Sequence, residues 1–299
     1  MDLNFAKYRK IYFSLAFLLV AASLFSLFAF GLKLGIEFTG GTILEIEYKE
    51  KRPSNDEIRE RLQDLDLGVF YIQPSNEKGI IIRMKDIDES THNQIISLLK
   101  QGNELEEKRM ESIGPVIGRE LKGRTNIVII LSLLLIVVYI ALAFRRVQRP
   151  VKSWQYGIVS LITLCFDVLM CLGLFAFLGR FYNVDFTIPV VTAVLTVVGY
   201  SINNTVVVFD RIRENILKRG GYFEDIINNS VKETLSRQIN TSLTTLFTVG
   251  AIYFFGGETL RYFSLALITG IISGTFSSIF LASPLILTWF NYKERKRSA

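Results

Sequence analysis

The chain has 299 residues, half of them hydrophobic, with 34 Lys and Arg against 28 Asp and Glu and a formal net charge of +6. Several apolar runs near 20 residues long exclude a single soluble core and place the chain in the multi-span membrane class. The positive excess does not mark a nucleic-acid binder: residues 31–124 hold 15 Lys and Arg against 18 Asp and Glu, and the surplus lies beside the apolar runs, where topology signals gather.

Residues 11–30, IYFSLAFLLVAASLFSLFAF, follow Lys7, Arg9 and Lys10 in the manner of a secretory signal. The run is longer than the about 7–15 residues of a signal core, so it predicts an uncleaved first span. Residues 31–124 are polar and contain no spanning run. TILEIEY at 42–48 alternates as a strand does, PSNDEIRERLQDL at 53–65 is helical with Ser54 as cap and Glu57 three residues on, and GVFYIQP (68–74) and GIIIRMK (79–85) predict two strands around a Pro-Ser-Asn turn. A helix at 88–101 and a strand at 104–113 complete the order β-α-β-β-α-β, the pattern of a ferredoxin-like α+β domain. Such a domain names no function by itself.

Apolar runs follow at 125–144, 156–178, 186–209, 240–256 and 263–290, with a 30-residue polar linker before the fourth of these and Gly256-Gly257-Glu258 before the fifth. The expected architecture is a multi-span α-helical membrane protein with six transmembrane helices. Residues 1–30 hold the N-terminus and first span, 31–124 the domain between spans one and two, and 125–299 spans two to six with a C-terminal tail. Outside 31–124, the flanks that fall on one side carry 17 Lys and Arg, among them Arg145, Arg146, Arg149 and Lys152, against Arg180 and Arg261 on the other. The positive-inside rule then puts both termini in the cytoplasm and 31–124 outside.

The residues that could carry chemistry lie in the spans. Asp167 stands in mid-span, where a carboxylate is expensive and is either an ion or proton carrier or the partner of a buried donor such as the Asn203 and Asn204 pair. Those two amides do not titrate, so by chemistry alone they are interhelical glue or ion-coordinating groups. Asp210, Arg211, Arg213 and Glu214 can pair along one helix at its cytoplasmic exit. Arg237 opens RQINTSLTTLFTVG, a polar start to a span that predicts packing against protein. Gly270 and Gly274 have the small-xxx-small spacing of close helix approach, continued by Ser273, Ser277 and Ser278, and Pro284 predicts a kink. Cys165 and Cys171, about 9 Å apart along a helix, are beyond disulfide reach and read as packing residues. His92, in a polar stretch, reads as a surface residue. There is no Cys/His cluster, so no metal or other cofactor is expected. No GxxxxGK[ST], HExxH or GxSxG motif occurs, so the chain is not read as an enzyme, and any work it does draws on an ion gradient or a partner.

Six segments carry a family resemblance: LGIEFTGGT at 34–42 with Gly40 and Gly41, SIGPVIGREL at 112–121, FDVLMCLGLFAF at 166–177, GYSINNTVVVFDRIREN at 199–215, TLSRQINTSLTT at 234–245 and GTFSSIFLASPL at 274–285. In order and in the matching spans, these resemble the SecF type within the SecD/SecF family of protein-export membrane subunits, related to the resistance-nodulation-division transporters. The resemblance implies a subunit of the bacterial cytoplasmic membrane that pairs with SecD. It implies work beside the SecYEG channel, with the proton-motive force helping to draw unfolded exported polypeptides outward among the membrane lipids. By position, Asp210, Arg211 and Arg213 match the family's DRIREN, and Arg237 matches its arginine associated with proton transfer.

Two departures matter. The family's NDT aspartate is Asn204 here, and its HDV histidine is Phe166. The first removes a titratable group, leaving open an engineered mimic of the protonated carboxyl, coupling through Asp167 or another cation, or no coupling. Competing readings are a half-transporter of a small lipid or drug, which predicts a substrate-sized apolar pocket, and a scaffold subunit without coupling.

Overall fold

The computed structural model describes residues 5, 7–75, 77–101, 103–143, 151–219 and 221–298. In chain order these form helix α1 (Arg9–Phe30), the single turn α2 (Ile36–Thr39), strand β1 (Gly41–Tyr48), α3 (Asn55–Leu62), β2 (Tyr71–Pro74), β3 (Gly79–Met84), α4 (Glu89–Leu99), β4 (Leu105–Ile113) and α5 (Pro115–Ala143). Then come α6 (Ser153–Tyr182), α7 (Ile188–Arg219), α8 (Phe223–Phe255), α9 (Gly257–Ser277), a π-helical turn (Ser278–Ala282) and α10 (Ser283–Ser298). Arg145, Arg146 and Arg149 of the expected basic flank, and Asn76 of the expected turn, lie outside the described residues. The chain divides into two compact units: one of Met1–Leu32, Ile129–Val184 and Pro189–Ala299, the other of Lys33–Val128 and Asp185–Ile188.

In the smaller unit the strands form an antiparallel sheet in the order β2-β3-β1-β4. The period of two in β1 and β3 sends Leu44, Ile46, Tyr48, Ile80, Ile82 and Met84 to one face, where they pack with Ile58 and Leu62 of α3 and Ile95 and Leu99 of α4. Both helices start at side-chain caps: Ser54 Oγ accepts the Glu57 amide at 3.2 Å and Asp88 accepts the Thr91 amide at 3.0 Å. Bonds from the Thr91 hydroxyl and amide hold the Asp88 carboxyl below the ordinary range. Strand β2 is shorter than expected, because Gly68 sits at φ +64 in a turn and pairing starts only at Tyr71. His92 is not a free surface residue: its Nε2 lies 3.0 Å from Glu107 of β4.

The four-residue segment Asp185–Ile188 belongs to this unit although it is far away in sequence. The Phe186 amide donates to the Lys33 carbonyl at 2.6 Å and the Gly35 amide to the Phe186 carbonyl at 3.0 Å. The buried carboxylate of Asp185 lies 2.8 Å from Arg83 Nε and 3.4 Å from Lys33 Nζ. Burial pushes this carboxyl above the ordinary range, and the charges of Arg83 and Lys33 pull it back.

The larger unit is helical. Among the described residues five helices are long and apolar enough to cross a membrane: Arg9–Phe30, Pro115–Ile140, Ser153–Tyr182, Ile188–Lys218 and the composite Leu260–Lys296. The 240–256 run lies within α8 and is not among the five, because Asn240, Ser242 and four threonines dilute its apolar residues. The 30-residue linker of the sequence reading does not exist as such, since α7 continues to Arg219 and α8 begins at Phe223. Polar residues there mark helix outside the apolar zone, because amphipathic helix and linker share a composition and differ only in period. Likewise α5 starts at Pro115, ten residues ahead of its apolar run, with proline in the first-turn position it favours. The expected kink at Pro284 takes the form of the π-helical turn, which ends two residues before it.

Close approaches set the packing. A Cβ on Gly173 of α6 would stand 2.6 Å from the Ser23 Cα of α1, and one on Gly270 of α9 would fall inside the Val197 side chain of α7. Both cysteines are free; Cys171 is buried as a packing residue, whereas Cys165 is exposed, so the packing expectation holds for one of the two.

Two outcomes follow. Gly270→Ala is expected to lower stability by about 1–3 kcal/mol through overpacking, whereas Gly250→Ala, which meets nothing within 4 Å, should raise it by about 0.5–1 kcal/mol; thermal denaturation of both variants in detergent checks the order. Arg83→Gln should cost about 2 kcal/mol near neutral pH, against under about 1 kcal/mol for Asp66→Asn at the exposed Lys85 pair. Removing Arg83 leaves burial less opposed, so the folded-state pKa of Asp185 rises further above its unfolded value. Stability from such a group is full below the unfolded pKa and is lost as pH rises through the folded one. The Arg83→Gln deficit should therefore shrink on acidification, and a deficit that widens would contradict the assignment.

Candidate functional site

Asp167 lies in the third of the apolar runs and is completely buried in the larger unit. Its Oδ2 accepts hydrogen bonds from the hydroxyls of Ser201 on α7 and, at 2.9 Å, Ser277 at the end of α9. Its Oδ1 has no hydrogen-bond partner among the described residues. The glycines of the small-xxx-small pair make this possible: a Cβ on Gly274 would come within 3.1 Å of Ser201 Cβ, so bare backbone there lets α9 approach α7 and brings Ser277, one turn on, to the carboxylate.

Of the two readings of Asp167, the buried-donor one named the Asn203 and Asn204 pair as an example, and neither hydrogen-bonds it among the described residues; Ser201, earlier on α7, does. Asn204 is buried with its Nδ2 lacking a partner among the described residues. Its backbone carbonyl accepts from Gln238 Nε2 of α8 at 3.0 Å, while Gln238 Oε1 accepts from Ser278 of the π-helical turn at 3.3 Å. A second polar chain runs from Tyr200 to Ser242 at 3.0 Å and on to Thr275 at 2.6 Å. Thus α7, α8 and α9 are joined by hydroxyls and one amide, each satisfied inside the protein as an apolar surrounding requires.

Asn203 points the other way. It is exposed, in a stripe on α7 with Thr192, Thr196, Gly199 and Asp210. Arg237 is also exposed and borders a shallow groove of about 270 Å³ with Asp210, Arg211, Arg213 and Glu214. The structure does not bring Arg237 into hydrogen-bond contact with Asp167 or Asn204. The polar start of α8, expected to lie against protein, is mostly outward within this chain: Asn240, Thr241 and Thr244 are exposed, and only Gln238 and Ser242 turn inward. The threonines bond to their own helix, Thr241 to the Arg237 carbonyl at 2.8 Å and Thr244 to that of Asn240 at 3.0 Å.

Beyond the apolar part, the charged segment pairs across helices as well as along one. Arg211 bonds both Glu214 of α7 and Glu233 of α8, and Asn215 Nδ2 donates to Ser230 Oγ and Glu233 Oε2, each at 3.0 Å. Arg213 and Asp210 pair at 3.5 Å. These contacts hold α7 and α8 together as a hairpin.

Gly40 and Gly41 serve the smaller unit. Both have positive φ, and a Cβ would meet Pro115 Cα at 2.9 Å and the Met84 carbonyl oxygen at 2.7 Å respectively. Gly118 stacks on Gly40 in turn, its Cβ position 2.8 Å from the Gly40 nitrogen. The FTGG and GPVIG segments of the sequence therefore form one close-packed corner. Sequence reasoning missed Ser201, Gln238, Glu233 and the Asp185 pairing. Serines are too common to stand out, although Ser277 shared a face with Gly274, and Asp185 is one of many charges in a polar stretch.

Comparison with known proteins agrees with this arrangement. Residues 94–292 match the family model for the C-terminal part of the protein export membrane proteins SecD and SecF, and residues 25–51 match the SecD/SecF GG motif. The protein translocase subunit SecF of Thermobaculum terrenum is 40% identical over 304 residues, covering 97% of this chain and 94% of that protein. That of Pseudomonas aeruginosa is 33% identical over 295 residues, covering 97% and 92%. The crystal structure of SecDF, a translocon-associated membrane protein from Thermus thermophilus, superposes with a TM-score of 0.84 at 32% identity, covering 97% of this chain. A SecDF structure in a super-membrane-facing form gives a TM-score of 0.66 at 29% identity. The chain spans about two-fifths of each SecDF chain, 39% and 40%. With more than half of its length matched by the family model and its sequence shared with full-length relatives, the chain belongs to the SecD/SecF family of protein-export membrane proteins.

Proposed function

We propose that this chain is the SecF-type accessory subunit of a bacterial Sec translocase, which assists export of unfolded polypeptides across the cytoplasmic membrane together with a SecD-type partner and the SecYEG channel. The observation that carries the assembly reading is the outward polar surface of α7 and α8. Asn203, Arg237 and Asn240 are exposed on helices that otherwise read as spans, and lipid offers such groups no partners. The stripe of Thr192, Thr196, Gly199 and Asn203 has the small-residue spacing at which a neighbouring helix can approach closely. A partner of the same family, itself multi-span, fits that surface.

In this reading α8 also crosses the membrane, as the fifth of six spans, its hydroxyls bonded back to their own helix. The basic flanks, with Lys152, Arg211, Arg213, Lys218 and Lys293, face the cytoplasm. The sheet unit is a ferredoxin-like domain on the opposite side. The chain carries no catalysis of its own, and the work is drawn from the proton-motive force.

Gly199 allows a specific test, since a Cβ there meets nothing within 4 Å in this chain. Gly199→Leu should leave the stability of the isolated subunit unchanged while reducing copurification of the SecD-type partner by about tenfold, equivalent to ~1.4 kcal/mol. Uncoupler-sensitive export of a secreted reporter should fall in parallel. Undiminished copurification would place the partner on another face, and export that ignores the uncoupler with the unaltered chain would remove the proton-motive force from the reading.

A further inference from the structure

Among the buried polar atoms of the helical unit that have no hydrogen-bond partner among the described residues are Ser160 Oγ, Asp167 Oδ1, Asn204 Nδ2, Thr205 Oγ1 and Ser283 Oγ. Each belongs to a residue at most 3% exposed. Buried polar groups are normally satisfied, by protein or by ordered water, and exceptions mark places that water can reach. Their heights along the helices are not scattered. Ser160 precedes Asp167 on α6 by seven residues, about 10 Å along the axis. Asn204 and Thr205 follow Ser201 on α7 by about 5–6 Å, and Ser283 follows Ser277 by about 9 Å. All four displacements run toward the same end of the bundle, because the start of α6 meets the far parts of α7 and α10. The Tyr156 and Phe209 rings stand 5.0 Å apart, and those of Trp154 and Trp289 5.2 Å. That end carries Lys152, Arg211, Arg213 and Lys293.

We propose that Asp167 is a proton-exchange site, and that Ser160, Asn204, Thr205 and Ser283 line a hydrated track joining it to the basic-flanked face, capped in this structure by the Tyr156–Phe209 ring pair. Oδ2 accepts from the Ser201 and Ser277 hydroxyls, and the Ser273 hydroxyl also lies against the carboxyl. Oδ1, without a hydrogen-bond partner among the described residues, is the atom that gains and loses the proton. On loading, an O–H bond forms on Oδ1 as one breaks in hydronium; on release, the proton returns to water in the track. No cationic side chain pairs with Asp167 among the described residues, so its ionised form is costly in this setting and a proton removes the charge. The groups that meet it from α7 and α9 are the Ser201, Ser273 and Ser277 hydroxyls, and its titratable neighbours along α6 are Cys165, exposed and two residues nearer the basic end, and buried Cys171, one turn further from it. The π-helical turn starts at the residue after Ser277, and such turns are frequent where a helix must re-form its hydrogen bonds at a functional site. Asn204, which cannot titrate, serves here as a water-binding wall of the track.

The proposal rests on the gradient-driven export proposed above, and the test separates the two. Cells carrying Asp167→Asn should lose the uncoupler-sensitive part of reporter export while the subunit still copurifies with its SecD-type partner, and Asp167→Glu should retain part of it. Thr205→Val combined with Ser160→Ala, which keeps the shapes and removes the hydroxyls, should diminish it too. Undiminished uncoupler-sensitive export by Asp167→Asn, or export that follows an imposed sodium gradient in place of a proton gradient, would overturn the assignment. A second readout is independent of export. Dicyclohexylcarbodiimide, which is apolar and needs a protonated carboxyl, should modify Asp167 in membranes, faster as pH falls, as read by peptide mass. Its failure to label Asp167 overturns the proton site whatever export does. If labelling occurs and the unaltered chain gives no uncoupler-sensitive export, the site stands and the export reading fails.

Discussion

The two hydroxyls that converge on the Asp167 carboxylate, Ser201 from α7 and Ser277 from α9, are the constraint on which the helical unit depends. A carboxyl group in an apolar interior must be met by donors that the protein itself supplies, and here the donors come from two other helices. That requirement fixes the mutual height of α6, α7 and α9. It also dictates where side chains must be absent: Gly270 and Gly274 are bare where α9 crosses Val197 and Ser201. The polar links from Tyr200 through Ser242 to Thr275, and from the Asn204 carbonyl through Gln238 to Ser278, extend the same principle to α8.

Away from that centre, charge takes over from hydroxyl. Where α7 and α8 leave the apolar zone, Arg211, Glu214, Glu233 and Asn215 bind the two helices through ion pairs and amide bonds that water and salt can reach. Pairs so exposed contribute little each, so their value lies in setting the register of the hairpin more than in stabilising it. In the sheet unit the corresponding element is Asp185, which sits between helices α6 and α7 in sequence and is buried against Arg83 and Lys33 in space. A buried carboxylate with two cations tolerates loss of one poorly, and this short segment is thereby held to the sheet.

The outward face of α7 and α8 contrasts with the inward one. Inward, Tyr200, Ser242, Thr275, Gln238 and Ser278 bond to one another or to backbone within the chain, while Asn203, Asn240, Thr241 and Thr244 face outward. A single chain that satisfied all its polar groups would have no reason to assemble. This one divides its polar residues between an internal network and an external surface, the distribution expected of a subunit.

Much of this was legible without coordinates. The period of two in TILEIEY and GIIIRM, the cap residues Ser54 and Asp88, and the apolar runs each encode local structure, because strand pleat, helix caps and lipid thickness act over a few residues. The Gly270 and Gly274 spacing announced a close helix contact, and the burial cost of Asp167 announced a site. What the sequence could not state was the partner in each case. Whether Asp167 meets Asn204 or Ser201 turns on one helical turn of height between two spans, and whether residues 210–239 form a linker or two helix ends turns on contacts such as Arg211 with Glu233. Asn203 and Asn204 are adjacent and chemically identical, and rotation of α7 by a single residue exposes one and buries the other. Local composition determined which segments are helix, strand or apolar, since those preferences are short-ranged. Only the tertiary structure decided which polar groups face one another, because that depends on the height and rotation of helices fixed by packing between residues far apart in the chain.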